Sequence, residues 1–137
     1  MGFLASSGVY KPKEAGKPQP PITIAQIATI HEFGSSDGKI PQRSFMGSSI
    51  DENQRSISSF IGKLASAVVA GQVSEVIALG KVGQMIKDLF RKKIISKIPP
   101  PLKASTLKKK GAGKSTPLVD TGQLVGSIAF EVRKGTK

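Results

Sequence analysis

The sequence predicts a small α+β domain in which two long antiparallel helices pack against a small antiparallel sheet. The helices are indicated by two segments, about 49–70 and 74–97, where apolar residues recur at intervals of three and four. The strands are indicated by shorter segments of alternating or β-favouring residues, set apart by Pro, Gly and Ser. With 137 residues and 5% aromatics, the chain suits one structural domain over 1–137 with an aliphatic core.

Three segments are predicted to be the strands of this sheet. Residues 2–10 alternate weakly and end in β-favouring residues, and residues 127–134 alternate more clearly. Residues 40–46 are predicted to be extended, because Pro41 disfavours the helical conformation for the residue before it. Together these segments would supply the sheet.

The two long helices are expected to cover one face of the sheet. The first, about 49–70, has Ser48 or Ser49 as its cap, since a serine hydroxyl accepts from the free N–H groups of a first helical turn. The second, about 74–97, begins with its own serine cap and ends before the triple proline at 99–101. Because only a short link joins them, these helices are expected to pack antiparallel.

Two short helices complete the predicted elements. The first spans about 24–33 and is closed by Gly34, because a glycine after the last apolar residue is a common helix stop. The second spans about 121–127, with Asp120 or Thr121 accepting from its first N–H groups as the N-cap.

The positive charge is concentrated in one part of the chain. Residues 81–114 contribute +10 of the net charge of +12. Two interpretations stay open, a solvated helix face followed by a loop, or a surface that binds phosphates without sequence preference. Mobile loops within the domain are predicted near 11–21 and 108–117, which are rich in Gly, Pro or Lys. The candidate phosphate contacts are Lys108, Lys109, Lys110 and Lys114.

Motifs that suggest catalysis are each incomplete. GAGKST at 111–116 resembles a phosphate-binding loop, but Lys108 stands where that loop needs its first glycine. LVDTG resembles an aspartic-protease motif, yet a helix cap explains Asp120 better than a carboxylate pair does. His31 is the one histidine, Ser35 replaces the second histidine of a zinc-protease motif, and cysteine is absent. We therefore expect no enzyme, no cofactor and no metal site.

Three segments in a fixed order carry a resemblance to a known family. They are ITIAQIATIHEFG at 22–34, KIPQRSFM at 39–46 and PLVDTGQLVGSIAFEV at 117–132, with the two long helices between the second and the third. In this order and spacing the chain resembles the tail-completion or neck proteins of long-tailed bacteriophages, also described as virion morphogenesis or minor tail proteins. The resemblance covers about 22–132, and the ordered set is more specific than any one piece.

The resemblance implies a non-enzymatic structural protein of the virion, assembled in the cytoplasm of the host bacterium. Its partners would be copies of itself in a ring, the phage connector or neck and tail proteins, and weakly the DNA in the channel, with no membrane. Such a ring would complete the tail or join it to the head. The alternative function is a basic nucleic-acid-binding module that uses 81–114. The residues that match the family are Glu32, Phe33, Gly34, Pro41, Arg43, Phe45, Asp120, Thr121, Gly122, Leu124, Ser127 and Ile128.

Two residues of the second segment bear on assembly. Ser44 stands where the family usually has proline, which would loosen the extended segment. Arg43 would form a bidentate pair with an acidic residue of the neighbouring subunit. Because ring interfaces are heterologous, each subunit needs two different complementary faces.

Overall fold

The described part of the chain is helical. The computed structural model describes residues 22–96, 98, 122–133 and 135. Within these residues there is no strand, and Thr23 and Ala129 form isolated β-bridges. The predicted α+β class is therefore wrong for the part of the chain that the structure describes. Its four helices are α1 (Ile24–Phe33), α2 (Met46–Val69), α3 (Glu75–Ile95) and α4 (Gln123–Gly126).

The segment predicted as a strand at 40–46 is an extended connection that leads into α2. Its backbone groups bind the end of α1 rather than a neighbouring strand. The N–H of Arg43 donates to the carbonyl of His31 at 2.7 Å, and the N–H of Phe45 donates to the Glu32 carboxylate at 2.9 Å. Since these donors are occupied, no ladder forms here.

The segment predicted as a strand at 127–134 is also not a strand where it is described. Ile128 is buried in the core, and the ring of Phe130 lies against the backbone of α3 at Gly83. The alternating pattern thus reflects an extended segment that lies on a helix. The remaining predicted strand, 2–10, and the predicted loops near 11–21 and 108–117 lie outside the described residues.

Helix α1 has the bounds that the sequence predicts. Thr23 and Gln26 form a capping box, in which the N–H of Gln26 donates to the Thr23 hydroxyl at 3.2 Å and the N–H of Thr23 donates to the Gln26 side chain at 2.9 Å. At the other end, Gly34 closes the helix with a φ of 82° and donates its N–H to Ile30 O at 2.7 Å.

Helices α2 and α3 form an antiparallel hairpin, as predicted. Near the base of the hairpin, the rings of Phe45 and Phe90 meet edge to face with centroids 6.4 Å apart. Lys93 Nζ on α3 also lies 2.6 Å from the Glu52 carboxylate on α2. Residues from the start of α2 therefore lie beside residues from the end of α3, and the 70–74 link forms the opposite end.

The predicted ends of the long helices are close to the observed ones. The hydroxyl of Ser74 accepts from the N–H of Ile77 at 3.4 Å, so the predicted cap of α3 is confirmed. The helix ends at Ile95, slightly before the predicted end near 97. Helix α2 begins at Met46, three residues before the predicted start, and neither Ser48 nor Ser49 is its N-cap.

The short helix α4 lies against both α1 and α3. It is shorter than the predicted span of 121–127, and Gly122 occupies its cap position with a φ of 76° and no side-chain hydrogen bond. The two residues predicted as its cap, Asp120 and Thr121, lie outside the described residues.

One buried cluster joins these elements, and it lies at the base of the hairpin. Helix α1, the start of α2, the end of α3 and the α4 region all contribute to it, with α4 and α1 in direct contact. All three segments that carry the family resemblance therefore meet in this core. Its members are Ile24, Ala28, Phe45, Phe90, Ile94, Ile98, Leu124 and Ile128.

Candidate functional site

The Glu32 carboxylate at the end of α1 accepts four hydrogen bonds. Its Oε2 accepts from the N–H groups of Phe45 and Met46, each at 2.9 Å. Its Oε1 accepts from the Gly47 N–H at 2.9 Å and from the Ser44 hydroxyl at 2.7 Å. We call this arrangement the Glu32 bracket, because one side chain joins α1 to the start of α2.

The bracket supplies the cap that α2 otherwise lacks. The N-cap residue, Phe45, has no side chain that can accept a hydrogen bond. The free N–H groups of the first turn carry a partial positive charge, and a carboxylate beside them is stabilised. Glu32 therefore caps a helix that begins fourteen residues after it in the chain.

The electrostatics of Glu32 follow from these contacts. Partial burial raises the pKa of its carboxyl group, but the hydrogen bonds from Met46, Ser44, Gly47 and Phe45 outweigh burial and lower the pKa below 4.5. Glu32 is therefore ionised at neutral pH. Since each carboxylate oxygen already accepts two hydrogen bonds, the group acts as a cap and is poorly placed to take a proton from a substrate.

Two glycines leave the space that the bracket needs. A Cβ on Gly47 would lie 3.0 Å from Ser44 Oγ and 3.2 Å from Glu32 Oε1, closer than ordinary contact. A Cβ on Gly34 would lie 3.2 Å from the backbone nitrogen of Gln42, and its φ of 82° is unfavourable for other residues. Gly34, the last residue of the first of the three segments, therefore allows the chain to turn back towards α2.

The second of the three segments, 39–46, which we call the second motif, buries two of its side chains, Arg43 and Phe45, inside the subunit. Phe45 is fully buried against Phe90. The Arg43 residue is 5% exposed, and desolvation lowers the pKa of its guanidinium group, although an arginine stays protonated. Arg43 is thus not presented at the surface, and its burial argues against the predicted pair with a neighbouring subunit. Pro41 is exposed.

The third of the three segments, which we call the third motif and which is described over 122–132, is attached to α3 through backbone and apolar contacts. Arg91 Nε donates to the carbonyl of Val125 at 3.3 Å. A Cβ on Gly83 would lie 2.4 Å from the Phe130 ring, so the ring lies directly on the helix backbone. Leu124 and Ile128 enter the core, and these contacts bring the third motif beside the first two.

The structure describes only part of the basic region 81–114. Lys108, Lys109, Lys110 and Lys114 lie outside the described residues. Of the described cations in the basic region, Lys93 pairs with Glu52 at 2.6 Å and Arg91 binds Val125 O. These two side chains therefore contribute to the subunit's own packing.

The far end of the hairpin exposes apolar side chains that the sequence reasoning did not identify as a surface. We call residues 69–79 the hairpin tip. Val69 is 89% exposed, Val76 and Ile77 are each 55% exposed, and Leu79 is 54% exposed. The sequence does contain an indication of this surface, since residues 64–80 include a single charged residue, Glu75. Phe33 of the first motif, at 72%, is a second exposed apolar side chain.

Comparisons with known proteins identify no relative: no protein-family model, no curated protein and no solved structure matches this chain. Among the described residues, no group of three or more His, Cys, Asp or Glu side chains is placed to hold a metal ion. In the same residues, no helix is both long and apolar enough to span a bilayer.

Proposed function

We propose that this chain is a non-enzymatic structural protein of a tailed-bacteriophage virion that joins or completes the tail at the head–tail interface by forming a ring. The proposal rests on the resemblance of the three ordered motifs. It is supported by one structural observation, that all three motifs pack into one core at the base of the α2–α3 hairpin.

The contacts of the matching residues support a structural role for the motifs. Glu32 of the first motif caps the helix that follows the second, and Phe45 of the second motif enters the core with Leu124 of the third. An ordered set of motifs is expected when its members stabilise one another across the fold. These contacts give the matching residues a structural role that needs no chemical reaction.

The shape of the subunit also supports assembly. The base of the hairpin is held by the core, while the hairpin tip presents apolar side chains to solvent. Exposed apolar clusters of this kind mark protein–protein contacts in many soluble proteins. A subunit whose hairpin is packed into a core at one end and exposes apolar side chains at the other suits a ring in which neighbouring subunits cover those side chains.

Nucleic-acid binding through 81–114 is the weaker proposal on these contacts. Arg91 and Lys93 are engaged within the subunit, so phosphate binding would depend on Lys81, Lys87 and Lys92 and on lysines outside the described residues. A nucleic-acid module would bind DNA with an affinity that falls steeply with salt. A ring subunit would assemble whether or not DNA is present.

The proposed function is tested by electron microscopy of phage particles produced without this protein. The expected result is separate heads and tails, or tails with an unfinished upper end, and joined infectious particles when the wild-type chain is supplied from a plasmid. Normal joined and infectious particles in the absence of the protein would contradict the proposal.

A further inference from the structure

Residues 76–79, the turn of α3 that follows Glu75, are apolar on every side of the helix. Val76, Ile77 and Leu79 point away from the core and are more than half exposed, while Ala78 between them is buried. A helical turn that is hydrophobic all round is normally buried on all sides. Within the described residues the hairpin buries one side of this turn, so the other sides have the character of an interface.

The charge of the hairpin tip limits what can cover it. The chain has a net charge of +12, yet residues 64–80 contain no cation and one acid, Glu75, which is exposed. The tip therefore suits a partner surface with an apolar floor and positive charge at its edge.

A surface of this kind is present on the same subunit. An open groove of about 440 Å³ lies between α2 and α3. Its half-buried apolar residues are Phe60 and Met85, and its exposed cations are Arg55 and Lys63. Ser56 and Ser59 complete the lining. The groove is shallow and open to solvent, so apolar side chains of a second protein can reach Phe60 and Met85.

We propose that the hairpin tip of one copy inserts into the α2–α3 groove of a second copy. Val76 and Ile77 would cover Phe60 and Met85, and Glu75 would lie between the two groove cations. The inference deepens the proposed ring assembly and rests on it, since it names the surfaces through which the copies meet.

The positions of the two surfaces give the contact a direction. Phe60 and Val69 are nine residues apart on α2, or about 14 Å at 1.5 Å per residue, so the tip and the groove are separate patches. A contact between two different patches is heterologous. Repeated from copy to copy, it builds a chain that closes into a ring when the rotation allows.

Cysteine cross-linking of the full-length protein tests this contact, because the natural chain contains no cysteine. The variant Val76→Cys/Ser59→Cys carries one thiol on the tip and one in the groove. After mild oxidation we expect a ladder of dimer, trimer and larger species on a non-reducing gel. The matched control, Val76→Cys/Ser36→Cys, has its second thiol in an exposed turn away from the groove and should give little cross-linked product.

Single variants establish the geometry. Val76→Cys alone and Ser59→Cys alone should each stay uncross-linked, and a mixture of the two should give a dimer and nothing larger. A dimer from Val76→Cys alone would show tip-to-tip contact and overturn the proposal. The proposal would also be overturned if the double variant Val76→Cys/Ser59→Cys formed dimers and nothing larger, formed no more cross-linked product than the control, or formed none.

Charge reversal provides a second, independent readout. Adding Glu75→Lys to the double-cysteine variant should remove the ladder, and adding Arg55→Glu with Lys63→Glu to the same chain should restore it. Far-UV circular dichroism of each variant checks that the helices are retained. A ladder unaffected by Glu75→Lys would overturn the charge pairing.

The same variants separate this inference from the proposed function. If Glu75→Lys abolishes the ladder but phage carrying it are joined and infectious, the tip-to-groove contact is wrong as the ring contact and the virion role stands. If particles made without the chain are normal, the proposed function fails whatever the cross-linking shows.

Discussion

The replacement Glu32→Gln isolates the charge of the bracket with little change in size. In the wild type, two oxygens share four donors, three of them backbone N–H groups of residues 45–47. A glutamine keeps one oxygen and turns an NH2 group towards donors that then lack an acceptor. The substitution should therefore loosen the start of α2 and its attachment to α1.

The magnitude follows from the contacts. One hydrogen bond to a charged group is worth about 1.5–3 kcal/mol, and loss of a helix cap costs about 0.5–2 kcal/mol. The four bonds share one partly exposed carboxylate and do not add, so we expect a loss of about 2–3 kcal/mol in the free energy of unfolding. For a domain of this size that corresponds to a fall in Tm of about 6–12 °C.

The pH dependence gives the sign of the effect. Folding lowers the pKa of Glu32, so its stabilisation is complete above the unfolded value, near 4.5, and is lost as the pH falls through the lower folded value. The difference between wild type and Glu32→Gln should be full at neutral pH and should shrink in acid below that window.

Urea unfolding followed by far-UV circular dichroism, at neutral pH and through the acid range, measures this difference. The matched control is Glu52→Gln on α2, which removes an exposed ion pair with Lys93 and should cost less than about 1 kcal/mol. If Glu32→Gln costs no more than the control at neutral pH, or if its deficit is unchanged in acid, the bracket does not stabilise the fold as argued.

Three further substitutions test other contacts. Gly83→Ala should displace Phe130 from α3, because the new Cβ would lie 2.4 Å from the ring, and should lower the free energy of unfolding by about 1–3 kcal/mol. In thermal melts, the double variant Gly83→Ala/Phe130→Ala should lose less stability than the two single variants together. Strict additivity of the two stability losses would refute the contact. Phe45→Ala should lower the free energy of unfolding by about 3–5 kcal/mol, because the side chain is fully buried. Phe33 is exposed, so Phe33→Ala should change the same free energy by no more than about 0.5 kcal/mol. Equal losses for the two variants in urea unfolding would contradict the burial of Phe45 in the core. Replacing Lys108, Lys109, Lys110 and Lys114 with alanine should leave assembly intact and should weaken any DNA binding that a salt titration detects. Loss of assembly in the absence of DNA would show that these lysines form contacts between subunits.

The sequence pattern was sufficient for the elements that depend on local chemistry. The three- and four-residue spacing of apolar side chains locates α2 and α3, and the serine at 74 and the glycine at 34 terminate helices as predicted. These features involve residues close to one another in the chain, where period and capping rules apply.

The prediction failed where distant residues decide the structure. The start of α2 was placed at a local serine cap, but Glu32 caps it from α1 and moves the start to Met46. The segment from Ile128 alternates as a strand does, yet Phe130 packs on Gly83 of a helix. Alternation reports which side chains are buried and does not identify what they pack against.

The candidate site was predicted in part. Glu32 and Gly34 belong to the residues that carry the family resemblance, and the structure gives each a specific role at the turn between α1 and α2. Arg43 was expected at an interface and is buried instead. The hairpin tip was overlooked because its apolar residues fit the helical pattern, and only their exposure reveals the surface.

The proposed location of this protein in the neck of the particle is tested most directly by finding where the protein lies in purified virions. Gold-labelled antibody against the chain, viewed by electron microscopy on particles opened at the neck, should mark the junction of head and tail. Mass spectrometry of the same particles should detect the chain. Absence of the chain from the particles, or label on the capsid or the fibres instead of the junction, would contradict the account.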